Sequence, residues 1–68
     1  MKVSKEGTRI KITWRSEDSK DVERARDFFM KLTRQNWLAA KRNSELQRIL
    51  EFKSEYGELW FIPLVEGG

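Results

Sequence analysis

Hydrophobic and polar residues alternate over the first fifteen positions, as they do in a β-hairpin with one solvent-facing side. Ile10, Ile12 and Trp14 share one side of the second run, and the residues between them are polar or basic. The segment Lys5–Gly7 between the two runs has turn composition, and glycine accepts the positive φ that tight turns require. The pattern therefore predicts two antiparallel strands with one apolar side.

The apolar period changes to that of a helix after Asp18. This aspartate is a predicted N-cap, because its carboxylate can accept the free amide protons of a first helical turn. A helix is expected over about Ser19–Gln35, and Asn36 tolerates the left-handed conformation that ends many helices. The side chains at helical spacing form one apolar stripe, with Phe28 at its edge: Val22, Ala25, Phe29 and Leu32.

The rest of the chain is predicted to add strands to the hairpin. Trp37–Lys41 is a short apolar run, and Leu46–Phe52 fits either a strand or a helical turn, of which we favour the strand. Leu59–Ile62 is apolar on both faces, which is typical of a central strand. Pro63 has no amide proton and is expected where that strand leaves the sheet. The fold class is therefore α+β, a two-layer roll with one amphipathic helix on a sheet.

Composition narrows the chemistry that this chain can perform. Its 68 residues are expected to form a single domain, 1–68, and they include no Cys and no His, which removes thiolate and imidazole chemistry. We predict no enzyme activity, cofactor or metal. A charged fraction of 37% with no Cys is typical of thermophile proteins. The net charge of +3 permits nucleic acid as a partner. With no apolar run that could span a membrane and no signal-peptide core, the expected location is the cytoplasm.

The segment Glu58–Gly68 combines an aromatic and apolar strand, a proline, a short apolar step and two glycines. In this it resembles the closing segment of the ubiquitin-like β-grasp proteins, especially the prokaryotic sulfur carriers of the molybdopterin synthase and thiamin pathways. The resemblance implies a β-grasp-like roll with a mixed sheet and a flexible tail at 66–68. Pro63 stands alone where the family usually has a proline pair, and Glu66 places a charge beside the glycines. Small proteins of mobile elements and viruses share a similar helix and ending.

The resemblance also implies a role for the two glycines. Gly68 would be adenylated at its carboxylate by an activating enzyme and would then carry sulfur to an accepting partner, or be joined to a lysine. Gly67 and Gly68 would enter the partner's active site, which supplies the catalysis. The alternative is a plain flexible chain end.

Two further surfaces are candidates for a non-catalytic binding module. Trp60 and Ile62 face away from Leu59 and Phe61 and are candidates for an open apolar sheet face that docks a partner protein, such as a host protein bound by a viral or plasmid adaptor. The alternative for these two residues is packing against Trp14 or a loop. Arg9, Lys11 and Arg15 share the outward side of the second strand and are candidates for binding single-stranded nucleic acid beside a tryptophan. The alternative for these cations is protection of the strand against aggregation. No oligomeric state is predicted.

Overall fold

The computed structural model describes residues 1–64, which form one layer of helix on one layer of sheet. The elements are β1 (Lys2–Glu6), β2 (Arg9–Thr13), α1 (Ser19–Arg34), β3 (Trp37–Arg42), β4 (Leu46–Arg48), a single 3₁₀ turn (Ser54–Tyr56) and β5 (Glu58–Pro63). The α+β prediction is confirmed. Residues 65–68, and with them the predicted tail and its Gly67 and Gly68, lie outside the described residues.

The five strands form one sheet in the order β1-β2-β5-β3-β4, so the last strand lies at its centre as predicted. All four strand pairings are antiparallel, whereas a mixed sheet was expected. The difference arises because β2, and not β1, lies beside β5, so that the neighbouring strands run in opposite directions. The hairpin, the single helix and the further strands are compatible with a β-grasp-like roll.

The ends of α1 follow the predicted capping chemistry. The Asp18 side chain accepts hydrogen bonds from the backbone N–H groups of Lys20 and Asp21, at 3.1 and 3.3 Å. At the other end the helix is capped at Gln35, and Asn36 takes a φ of 66°. The helix therefore ends within one residue of the predicted boundary, because both termini have side chains suited to stopping it.

The core lies between α1 and one face of the sheet. The apolar stripe of the helix packs there against alternate residues of β2, β3 and β5, and Phe61 contacts two phenylalanines with ring centroids 5.5 Å and 6.4 Å away. Ile12, Leu59 and Phe61 are the largest fully buried side chains among the described residues. The side chains that alternate along the strands and those at 3.6-residue spacing on α1 thus form one hydrophobic cluster.

The segment after β3 confirms the strand interpretation only in part. β4 contains three residues, Leu46–Arg48, where a strand over Leu46–Phe52 was favoured. The chain leaves the sheet because Phe52 turns into the core, where its ring lies 5.2 Å from that of Trp14. The segment before β5 contains the 3₁₀ turn and ends at Gly57, whose φ of 71° favours glycine.

Candidate nucleic-acid interface

The sheet has a second face that α1 does not cover, and we call it the outer face. Because side chains alternate along each strand, this face carries the residues between the core positions of β2, β5 and β3. The strand registers assign to it these side chains: Lys2, Ser4, Glu6, Arg9, Lys11, Thr13, Leu38, Ala40, Arg42, Leu46, Arg48, Glu58, Trp60 and Ile62. Two pairs of residues predicted for different functions therefore share one surface: Arg9 and Lys11 of β2, and Trp60 and Ile62 of β5.

One row of residues crosses the outer face at its centre. The registers place Lys11 opposite Trp60, Trp60 opposite Ala40, and Ala40 opposite Arg48. Neighbouring strands are about 4.8 Å apart, so the backbone positions of Lys11 and Arg48 are about 14 Å from each other along the row. We call these four residues the central row. It places an aromatic ring between two positive charges on a surface without a second layer.

Two side chains contact the Trp60 indole, Glu58 from the same strand and Lys11 from β2. Its indole Nε1–H donates a hydrogen bond to the Glu58 carboxylate at 3.0 Å, and the Lys11 Nζ lies 5.5 Å from the ring centroid. The side chain is only 8% exposed. A cation over an aromatic face is an attractive contact, and it keeps the ring covered in the free protein.

The next row of the outer face is also apolar at its centre. Leu38 lies opposite Ile62, and both side chains are partly buried. On the hairpin side of the face, Arg9 lies opposite Glu6 at the turn. The two rows together form an apolar strip over β5 and β3 with charged residues on both sides.

The charge of the outer face is predominantly positive. Its basic residues are Lys2, Arg9, Lys11, Arg42 and Arg48, against the acidic Glu6 and Glu58. Lys41 of β3 points to the other side of the sheet, where its Nζ lies 4.8 Å from the Tyr56 ring centroid. Phosphate groups are a natural counterpart for such a surface.

Arg15, the third predicted nucleic-acid residue, lies beyond the end of β2 and belongs to the start of the helix. Its Nε lies 3.2 Å from a carboxylate oxygen of Glu17, and its backbone N–H donates to Asp21 at 2.9 Å. The pKa of Glu17 is lowered, first by a hydrogen bond from its own backbone and then by Arg15. Arg15 therefore serves this local network and is not grouped with Arg9 and Lys11.

Asp21 joins the helix to the hairpin. One of its carboxylate oxygens pairs with the N-terminal ammonium of Met1, and the other accepts the Arg15 N–H. The ammonium, followed by the Arg15 amide, holds the pKa of Asp21 below the usual range of aspartate. These contacts join α1 to the start of the chain on the side of the sheet that α1 covers.

Leu38 and Ala40 were not singled out as site residues by the sequence. Their place on the outer face follows from two facts together, the alternation along Trp37–Arg42 and the pairing of β3 with β5. The alternation is visible in the sequence, but the pairing is not, since β3 and β5 are separated by a hairpin and a loop.

Within residues 1–64 there is no group of three or more carboxylates placed to hold a metal ion. The α-helix of this part of the chain is neither long nor apolar enough to cross a membrane.

No protein-family model, no curated protein and no solved structure matches the chain.

Proposed function

We propose that the protein is a non-catalytic module that binds single-stranded nucleic acid on the outer face. The central row is the observation that supports this proposal: Lys11, Trp60 and Arg48 combine one aromatic ring with two flanking cations on an uncovered sheet. Sequence-tolerant binding of single strands uses this combination, with bases stacked on aromatic rings and phosphates bound by cations.

Lys11 provides a simple binding step. In the free protein its ammonium lies over the Trp60 ring. A base that stacks on the ring displaces the ammonium, which then becomes available for a phosphate of the same strand. Because stacking requires a base with an accessible face, a single strand suits this surface better than a duplex.

The proposal is tested by titrating the protein into a fluorescent oligothymidylate of about 12 nucleotides, within the range of site sizes known for such proteins. If Arg9, Lys11, Arg42 and Arg48 each contact a phosphate, log K should fall with log salt concentration with a slope of about −3. Trp60 emission should be quenched on binding. A salt-independent affinity, or a duplex that binds as well as the single strand, would overturn the proposal.

Matched variants separate this surface from the overall charge of the protein. The double variant Lys11→Gln/Arg48→Gln should reduce the salt slope by about 1.4. The control Lys20→Gln/Arg24→Gln removes two exposed cations from α1 and should leave most of the affinity in place. Trp60→Leu should cost about 1–3 kcal/mol of binding free energy through lost stacking, provided that circular dichroism shows the variant to be folded.

The sulfur-carrier or modifier role is a second proposal, and the feature that favours it is the central position of β5, the strand that begins the closing segment on which the resemblance rests. Its proposed partners are an adenylating enzyme and a sulfur acceptor, with Gly67 and Gly68 as the reactive segment. We would compare the intact mass of the protein recovered from its native host with that of the protein expressed alone. Exchange of oxygen for sulfur at Gly68, or a branch to a lysine, is expected, and an unmodified carboxylate in every fraction would contradict it.

A further inference from the structure

The sheet has an open edge where β4 ends. β3 extends over six residues, Trp37–Arg42, but the register with β4 covers only Ala40–Arg42. One more hydrogen bond continues the pairing, from the Ile49 N–H to the Ala39 carbonyl at 2.8 Å. No residue of β4 lies opposite Trp37 or Leu38, so within residues 1–64 the first part of β3 has a paired strand on one side only.

The backbone of Trp37 points toward this open edge. Leu64 donates its N–H to the Asn36 carbonyl at 3.2 Å, so this carbonyl faces β5, whereas the Asn36 N–H donates to the Thr33 carbonyl at the end of α1. In an antiparallel pair the hydrogen-bonding direction alternates from residue to residue. The N–H and C=O of Trp37 therefore face away from β5, in the same direction as the Ala39 carbonyl that Ile49 binds. An unpaired strand edge of this kind is a template for another strand.

A groove of about 240 Å³ lies beside the open edge. Phe29, Ile49, Leu50 and Leu64 supply its apolar lining. Leu50 is 77% exposed and Leu64 is 52% exposed, and they are two of the four large hydrophobic side chains that are exposed in residues 1–64. Their presence around one groove marks an interaction site more strongly than single exposed leucines would.

The polar lining of the groove indicates the charge of its partner. Among the lining residues that belong to 1–64, Arg48 is the one charged residue and none is acidic. The Thr33 hydroxyl donates to the Phe29 carbonyl at 2.8 Å and is not available as a donor to a partner. An acidic residue next to apolar ones is therefore the complement of this site.

We propose that an extended, apolar and acidic segment of another protein binds in this groove and adds a strand to β3 in line with β4. Its backbone pairs with Trp37, its apolar side chains contact Leu50 and Leu64, and a carboxylate lies near Arg48. Such strand addition takes affinity from main-chain hydrogen bonds and specificity from the side-chain groove. Nucleic acid is a poorer fit, because the groove has a single cation and apolar walls.

The probe is a synthetic pentapeptide of alternating valine and glutamate, acetylated and amidated at its ends, titrated into the ¹⁵N-labelled full chain. Amide shifts should be largest at Trp37 and Leu50, and the Trp37 amide should exchange more slowly with solvent. A peptide N-methylated at the amides of one edge should lose binding, while one N-methylated at the opposite edge should keep it, because only one edge pairs with β3.

Substitutions then locate the site. Leu50→Glu should weaken peptide binding at least tenfold, since it places a carboxylate against an acidic peptide. Val3→Glu is the matched control: Val3 is 50% exposed on β1, at the far edge of the sheet, and should leave peptide affinity unchanged. Binding of the oligothymidylate should survive Leu50→Glu, which keeps this test separate from that of the outer face.

Several results would overturn the proposal. No shift at about 1 mM peptide, or equal binding of both N-methylated peptides, would exclude strand addition. A dimer that Leu50→Glu dissociates in sedimentation experiments would identify a second copy of the chain as the occupant. Binding that occurs only after removal of residues 65–68 would identify those residues as the occupant.

Discussion

The two faces of β5 differ in what covers them. Leu59 and Phe61 face α1 and are fully buried, whereas Trp60 and Ile62 lie on the outer face, where no second layer of structure covers them. On the first face, packing with the helix determines which side chains are accepted. On the second face, the contacts within residues 1–64 come from neighbouring strands. β5 thus contributes one face to the closed core and the other to the outer face.

Truncation of the two faces should have unequal effects on stability, and this is the largest difference that we expect. Phe61→Ala leaves a cavity enclosed between helix and sheet and should cost about 3–5 kcal/mol of unfolding free energy. Ile62→Ala removes a partly buried side chain from a face with no layer above it, so no enclosed cavity forms and the cost should be about 1 kcal/mol. Urea denaturation measures both.

Val3→Ala is the control for this pair, because Val3 is half-exposed on the edge strand and should change the stability by less than about 0.5 kcal/mol. Equal losses for Phe61→Ala and Ile62→Ala would show that the outer face is covered in solution. A second molecule as the cover would make the denaturation midpoint depend on protein concentration.

Weakening the start of α1 should have a smaller effect. Asp18 caps the helix through two backbone N–H groups, and replacing it with alanine should cost about 1 kcal/mol. Ser44→Ala, in the exposed turn between β3 and β4, is the control. If Asp18→Ala left the thermal midpoint unchanged, the cap would contribute nothing to the attachment of the helix.

The acid dependence of stability tests the contacts of Asp21, which join α1 to the hairpin. Because the pKa of Asp21 is lowered in the folded protein, its contacts stabilise the fold above the ordinary aspartate value of about 3.9 and lose this effect as the pH falls below it. The stability difference between the wild type and Asp21→Asn should therefore shrink as the pH is lowered from 6 toward 2. Asp27→Asn, which removes a carboxylate on α1 without these contacts, should show no such trend. A constant difference for Asp21→Asn would mean that its contacts do not depend on charge.

The sequence predicted most of the fold because the strongest signals are local. The period of α1, the cap at Asp18, the left-handed Asn36 and the position of Pro63 at the end of β5 each follow from a few neighbouring residues. The early end of β4 and the antiparallel pairing of β2 with β5 were not predicted, because both depend on contacts between distant segments. Phe52, for example, leaves the strand to meet Trp14.

The candidate site was predicted only in pieces for the same reason. Lys11 and Trp60 were assigned to separate functions, and the register alone reveals that they are opposite each other. Arg15 followed the alternation of β2, but the strand ends at Thr13 and Arg15 pairs with Glu17. Side-chain alternation therefore identified the faces of strands, and strand order was needed to assemble the site.

The smallest expected change in stability comes from the outer face itself. Lys11→Met keeps an unbranched side chain over Trp60 and removes only the ammonium, so the unfolding free energy should change by less than about 0.5 kcal/mol. Its oligothymidylate affinity should nevertheless fall severalfold, and the salt slope should become less steep by about 0.7. A residue of the core face cannot separate the two effects, because its truncation also lowers the stability. If Lys11→Met altered stability but not binding, Lys11 would be a structural cover for Trp60, and the outer face would no longer be the proposed interface.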